Sequence, residues 1–314
     1  MSEARQGERG WRPTQPPAET TTNRQDACVS GESLEPRGTP AALPGQSLPC
    51  SPAAPARLCA ESLRVSYGGG VDVLHDVSLG VPTGEFTVII GPNACGKSTL
   101  LKSLARMLPL KAGRIVLDGT DIRGFRPKEL ARHIGLLPQN PHAPDGITAF
   151  DLVARGRYPH QSLLRQWSQA DEEAVWEALE DARVAELAER TLDALSGGQR
   201  QRVWIAMALA QQTPILLLDE PTTYLDIAHQ IEVLDLAWTL YRQGRTVVAV
   251  LHDLDLAFRY ATHLVVMSEG RILAEGKPTQ VVTSELIEQA FGLANTIITD
   301  PISATPLVIP LMER

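Results

Sequence analysis

The chain has 314 residues, 43% of them hydrophobic and 21% charged, an ordinary globular balance in a length that suits two domains or one large domain with an insert. Its 29 Lys and Arg against 37 Asp and Glu leave a net charge of −8, which excludes affinity for nucleic acid built on many phosphate contacts. The four cysteines, at 28, 50, 59 and 95, form no CxxC pair, so neither a zinc site nor a disulfide framework is expected. No apolar run reaches the ~18 residues of a membrane span, and the opening MSEARQGERG lacks the core of a secretory signal. The expectation is a soluble cytoplasmic protein whose membrane role, if any, runs through a partner.

Residues 1–57 hold nine of the 23 prolines but only six large apolar side chains, Met1, Trp11, Val29, Leu34, Leu43 and Leu48. Such a stretch cannot bury enough surface to offset the entropy of ordering it, which predicts a disordered tail. From 58 onward strand and helix patterns alternate. Strands are expected at 62–67 and 85–90, a helix at 97–108, and short strands near 114–118 and 134–137. Residues 140–195 read as mostly helical, with Ser168 and Asp171 forming a capping box and Val175, Leu179 and Ala182 an apolar face. Helix and strand then repeat over 197–211, 215–219, 224–242, 246–251, 254–261 and 264–268. This order predicts an α/β protein with a largely parallel sheet, into which 140–195 is inserted. The apolar stretch 293–314 is expected to form a short strand pair.

Residues 91–98 read Gly91-Pro92-Asn93-Ala94-Cys95-Gly96-Lys97-Ser98, the pattern GxxxxGK[ST], after a strand and at the start of a helix. Glycines let the backbone curl so that successive N–H groups point at phosphate oxygens, and the helix adds its positive end. Lys97 is placed to reach the β- and γ-phosphates and Ser98 to ligate Mg²⁺. The same helix end would favour a thiolate at Cys95, but the expected reading there is a tolerated loop residue and not a redox switch. At 215–220, four aliphatics end in Asp219-Glu220. A carboxylate there arrives at the carboxyl edge of the sheet, where ligands bind. Asp219 suits the Mg²⁺ site, and Glu220, one residue further, is the candidate to polarise the attacking water. Ile227, Ile231, Leu234, Trp238 and Tyr241 recur at helical spacing and are expected to pack into the core.

Leu195-Ser196-Gly197-Gly198-Gln199 then opens another helix. At these residues the chain resembles the nucleotide-binding subunits of ABC transporters, whose signature is LSGGQ, over about 58–292. The resemblance implies a P-loop NTPase (RecA-like) parallel core with an antiparallel β subdomain and a helical subdomain at about 140–195. It also implies a head-to-tail homodimer. In that dimer, Ser196, Gly197, Gly198 and Gln199 of one subunit close over ATP held by Gly91–Thr99 of the other. By the same resemblance Tyr67 stacks on adenine, Gln139 senses Mg²⁺ and water, Asp226 lies with Leu225 in the interface loop, and His252 contacts the γ-phosphate. Catalysis is thereby assigned to Glu220, His252, Lys97 and Gln139. Nucleotide binding falls to Tyr67, Gly91 through Thr99, the signature and Asp226, and Mg²⁺ to Ser98, Gln139 and Asp219.

The stretches LLPQNPHAPDGIT (136–148), VARGRYPH (153–160) and DEPTTYLDIAHQIEVLDL (219–236) are similar to the ATP-binding subunits of bacterial iron–siderophore importers. This implies a peripheral subunit on the cytoplasmic face of the membrane. It would power a polytopic permease, which an extracellular substrate-binding protein serves indirectly. Cobalamin and haem importers of the same class, and a soluble ATP-dependent dimerisation switch, stay open as alternatives. Residues 139–160 are the expected permease contact, with Arg155, Arg157 and Tyr158 exposed.

Overall fold

A computed structural model describes residues 56–68, 70–161 and 167–311. The expected tail at 1–57 lies outside the described residues except for Ala56 and Arg57. These two already belong to a strand, where Arg57 forks onto Asp118 at 2.6–2.7 Å. In chain order the elements are β1 (Ala56–Ser66), β2 (Asp72–Pro82), β3 (Phe86–Ile90), α1 (Lys97–Leu104), β4 (Ala112–Leu117) and β5 (Thr120–Asp121). There follow α2 (Pro127–Leu130), β6 (Ile134–Leu137), α3 (Ala149–Ala154), α4 (Gln169–Asp181), α5 (Gly197–Ala210), β7 (Ile215–Asp219) and α6 (Ile227–Arg242). The chain continues through β8 (Thr246–Val250), α7 (Leu254–Tyr260), β9 (His263–Ser268), β10 (Arg271–Gly276), α8 (Pro278–Val281), α9 (Ser284–Phe291), β11 (Asn295–Thr299) and β12 (Pro306–Pro310).

Six strands form the central sheet in the order β10-β9-β3-β8-β7-β6, parallel except for β10 at one edge. β3, β7 and β8 are buried along their whole length, which is why they read as unbroken apolar runs rather than alternating ones. Their side chains still sort by parity. Phe86, Val88, Ile90, Leu216, Leu218, Val247 and Ala249 face a core shared with α3 to α7. Ile89, Ile215, Leu217, Val248 and Val250 face a second core shared with α1, β1, β2 and β4. Each fully buried Val or Leu contributes about 1.5–3 kcal/mol, so the sheet is stabilised from both faces. A second, antiparallel sheet runs β2-β1-β4-β5, and β11 pairs antiparallel with β12 as the strand pair expected at the C-terminal end.

The capping box of α4 forms as expected: Ser168 Oγ accepts from the Asp171 N–H, and Val175, Leu179 and Ala182 are buried. Two expectations are corrected. Ile227 is 71% exposed, because Asp226 caps α6 and leaves the first helical residue on the outer side of the turn. Arg157 is buried. Its Nε donates to Asp171 at 2.9 Å, and its Nη1 to the Ala210 carbonyl at 2.7 Å and to Gln212 at 2.8 Å. Arg155 and Tyr158 are exposed, as expected.

Candidate functional site

Between β3 and α1 the loop from Gly91 to Gly96 turns sharply enough to need unusual backbone. Gly91 lies at φ 154°, and a Cβ there would sit 2.2 Å from the Met267 carbonyl oxygen, so only glycine fits. Lys97, buried at the start of α1, reaches back over the loop and donates to the Gly91 and Pro92 carbonyls, both at 2.8 Å. Asn93 to Thr99 line a cleft of about 310 Å³ together with Tyr67, Val73, Glu220 and His252. The Tyr67 hydroxyl lies 3.1 Å from Thr99 Oγ1, which fixes the half-exposed ring at the rim.

The helix end does not make Cys95 a thiolate. The side chain is buried, and burial pushes its thiol up, with the Lys97 charge opposing only in part. A thiolate is disfavoured there, and the sulfur fills space beside Gly91.

β7 delivers Asp219 to the foot of the cleft. Asp219 is wholly buried; Ser98 Oγ donates to its Oδ1 at 2.6 Å and Lys102 Nζ stands 3.4 Å from its Oδ2. That second oxygen has no hydrogen-bond partner. Glu220 leaves the strand with φ 53°, so its side chain is aimed by a left-handed turn rather than by strand alternation. His252 Nε2 lies 2.7 Å from its Oε1, Thr223 Oγ1 donates to Oε2 at 3.2 Å, and Gln139 Nε2 donates to the same oxygen. Three segments far apart in sequence therefore converge on one carboxylate at the cleft.

The signature residues and Asp226 do not line this cleft. Ser196 and Gln199 cap each other: Ser196 Oγ accepts from the Gln199 N–H at 3.3 Å, and Gln199 Oε1 from the Ser196 N–H at 3.1 Å. Gly197 has open space around it. Asp226 caps α6 by accepting from the His229 N–H at 2.9 Å, and the His229 N–H and ring hold its carboxyl below the usual range.

Comparison with known proteins agrees with this geometry. The family pattern described as ABC transporter matches residues 74–223. The ferric enterobactin transport ATP-binding protein FepC of Escherichia coli (strain K12) is 53% identical over 82% of this chain and 94% of its own length. The chain belongs to the ATP-binding subunits of ABC transporters. The iron(3+)-hydroxamate import ATP-binding protein FhuC of Bacillus subtilis (strain 168) is 45% identical over 80% of this chain and 94% of its own. Among solved structures, the dimeric bacterial ABC transporter cassette MJ0796 superposes with a TM-score of 0.62 at 28% identity, covering 70% of this chain and 98% of that one. As an ABC ATPase the chain binds ATP and hydrolyses it to drive transport. No described helix is long and apolar enough to cross a membrane.

Sequence reasoning missed three members of the site. Thr223 stands in a segment where only its neighbours Leu225 and Asp226 carried a motif, yet it donates to Glu220. Lys102 sits one helical turn after Ser98, a spacing that places both beside Asp219 and could have identified it. Val73 belongs to β2, which no pattern predicted.

Proposed function

We propose that this cassette hydrolyses ATP·Mg²⁺ at two composite sites of a homodimer and thereby powers a polytopic permease importing ferric siderophores. The observation that carries the reaction is Glu220, whose two carboxylate oxygens are held by His252, Thr223 and Gln139 at the mouth of the phosphate loop. A fixed carboxylate beside the terminal phosphoryl orients the attacking water and takes up its proton. Lys97 and the loop N–H groups receive the charge that builds on the phosphate oxygens, already placed and needing little reorganisation. Tyr67 holds the base, and His252 steadies the γ-phosphate side.

Asp219 Oδ2, buried beside Ser98 and without a hydrogen bond although Lys102 stands 3.4 Å away, fits a divalent cation site. Ser98, Gln139 and Asp219 would hold Mg²⁺, which supplies charge neutralisation to the phosphates. Among the described residues no three His, Cys, Asp or Glu side chains form a metal cage. Phosphate and water oxygens would complete the ligand set of a hard cation here.

Ser196, Gly197, Gly198, Gln199 and Asp226 do not line the cleft of their own chain, which supports closure by a second copy. Exposed Tyr224 and Ile227 flank Asp226 and give that face apolar anchors. The substrate assignment rests on the siderophore names carried by relatives at 45–53% identity. Exposed Arg155 and Tyr158 remain the proposed permease contact, on the cytoplasmic side, with a substrate-binding protein acting at the far side of the permease. The test is uptake of a radiolabelled ferric siderophore by a strain lacking the gene, complemented with the native chain or with Glu220→Gln. Restoration by the native chain alone supports the reading, and unchanged uptake in the deletion strain refutes the substrate class.

A further inference from the structure

α6 carries His229 one turn after Asp226, and the ring does two things at once. Its Nδ1–H donates to Asp226 Oδ1 at 2.6 Å, while its face lies against Gly198 in the signature turn. A Cβ at Gly198 would stand 2.3 Å from His229 Cδ2 and 2.8 Å from Cγ, so Gly198 is buried under the imidazole. Its neighbour Gly197, by contrast, has nothing within 4 Å. One turn further along each helix, Arg202 of α5 ion-pairs with Glu232 of α6. The first turns of α5 and α6 are thus pinned together at two levels, and His229 is the level next to the exposed loop ends.

We propose that His229 is a positioning residue for ATP hydrolysis: it locks the Asp226 loop to the signature turn so that both reach the opposite nucleotide as one surface. The proposal rests on the two-fold composite site argued above. His229 does not line the cleft of its own chain, so it acts on closure and not on loading of the phosphate loop. Asn at this position keeps an N–H donor near the place of Nδ1, whereas Ala removes both donor and ring.

The experiment measures kcat and KM for ATP, and thermal melting, in native protein and in His229→Ala, His229→Asn, Gly198→Ala, the double variant Gly198→Ala/His229→Ala, and Glu220→Gln as control. A hydrogen bond to a charged group is at stake, so His229→Ala loses roughly tenfold or more in kcat while KM stays within about twofold. His229→Asn recovers most of that loss. The double variant turns over faster than Gly198→Ala alone, because the ring that the new methyl strikes is gone. Native-like kcat in His229→Ala, a rise in KM without a fall in kcat, or no rescue by Asn overturns the proposal. If Glu220→Gln keeps its turnover, the hydrolysis reading itself has failed; if Glu220→Gln is dead while His229→Ala is native-like, only the His229 proposal has failed.

Discussion

Replacing Glu220 by Gln is the most informative single change. The side chain keeps its length and shape but loses its charge and one acceptor. In the native site Oε1 meets His252 Nε2 at 2.7 Å, and Oε2 receives Thr223 at 3.2 Å together with Gln139. The amide oxygen can take the place of Oε2 and keep both donors, while the amide N–H₂ donates to His252 in its other tautomer. Every hydrogen bond then survives, so stability changes by under about 1 kcal/mol and Tm by a few degrees at most, ~2–4 °C. What is lost is the proton acceptor and the fixed negative charge that orients water. Loss of one preorganised group of this kind costs about 10²–10³ in kcat, or ~2.7–4 kcal/mol of barrier. Phosphate release measures the rate, and size-exclusion chromatography with ATP measures pairing. The expected result is retained ATP binding with an accumulated dimer and almost no turnover. Turnover within about threefold of native protein would refute the role given to Glu220.

Lys97→Ala removes a buried ammonium that holds two loop carbonyls at 2.8 Å, so ATP affinity measured by calorimetry falls about tenfold or more. Cys95 is buried with its thiol pushed up, so iodoacetamide at neutral pH modifies it slowly. Peroxide sensitivity of the ATPase should therefore be the same in Cys95→Ala as in native protein. Asp171 is held below its ordinary value by Ser168 and Arg157 although burial works against it. Its stabilisation is complete above the unfolded value of about 4 and fades as pH falls through the lower folded one. Asp171→Asn thus lowers Tm at neutral pH by breaking a buried pair worth about 3 kcal/mol, and the gap to native protein closes on acidification. A gap that stays constant with pH contradicts the pairing.

The parallel core was legible because its signals are local and strong. The runs at 134–137 and 215–219 match β6 and β7 end to end, since strands buried on both faces need no alternation to be recognised. The antiparallel sheet was half hidden. β1 was read only from 62, and β2 not at all, because Ser62 and Asp76 adopt φ 48° and 58° and the register slips beside them. Bulges break the period-2 pattern that marks a half-buried strand. The phosphate loop, Asp219 and Glu220 were visible because phosphate chemistry demands fixed residue types at fixed spacing. Lys102 was not, as its role arises only when α1 meets the distant Asp219, and Thr223 was not because its bond to Glu220, three residues away, depends on the left-handed turn at Glu220. Arg157 was misread for a similar reason: its partners Ala210 and Gln212 lie more than fifty residues away. A charge in a polar stretch gives no sign that a buried acceptor awaits it.

The most direct measurement mixes two inactive proteins. Lys97→Ala spoils the phosphate loop, and Ser196→Arg spoils the signature turn, which leaves the cleft of its own chain untouched. If ATP is enclosed by the loop of one subunit and the signature of the other, each variant alone is inactive. The mixed dimer then regains one intact site, and ATPase activity appears on mixing. Full activity of Ser196→Arg alone, or a mixture as silent as its parts although mixed dimers form, would contradict the account.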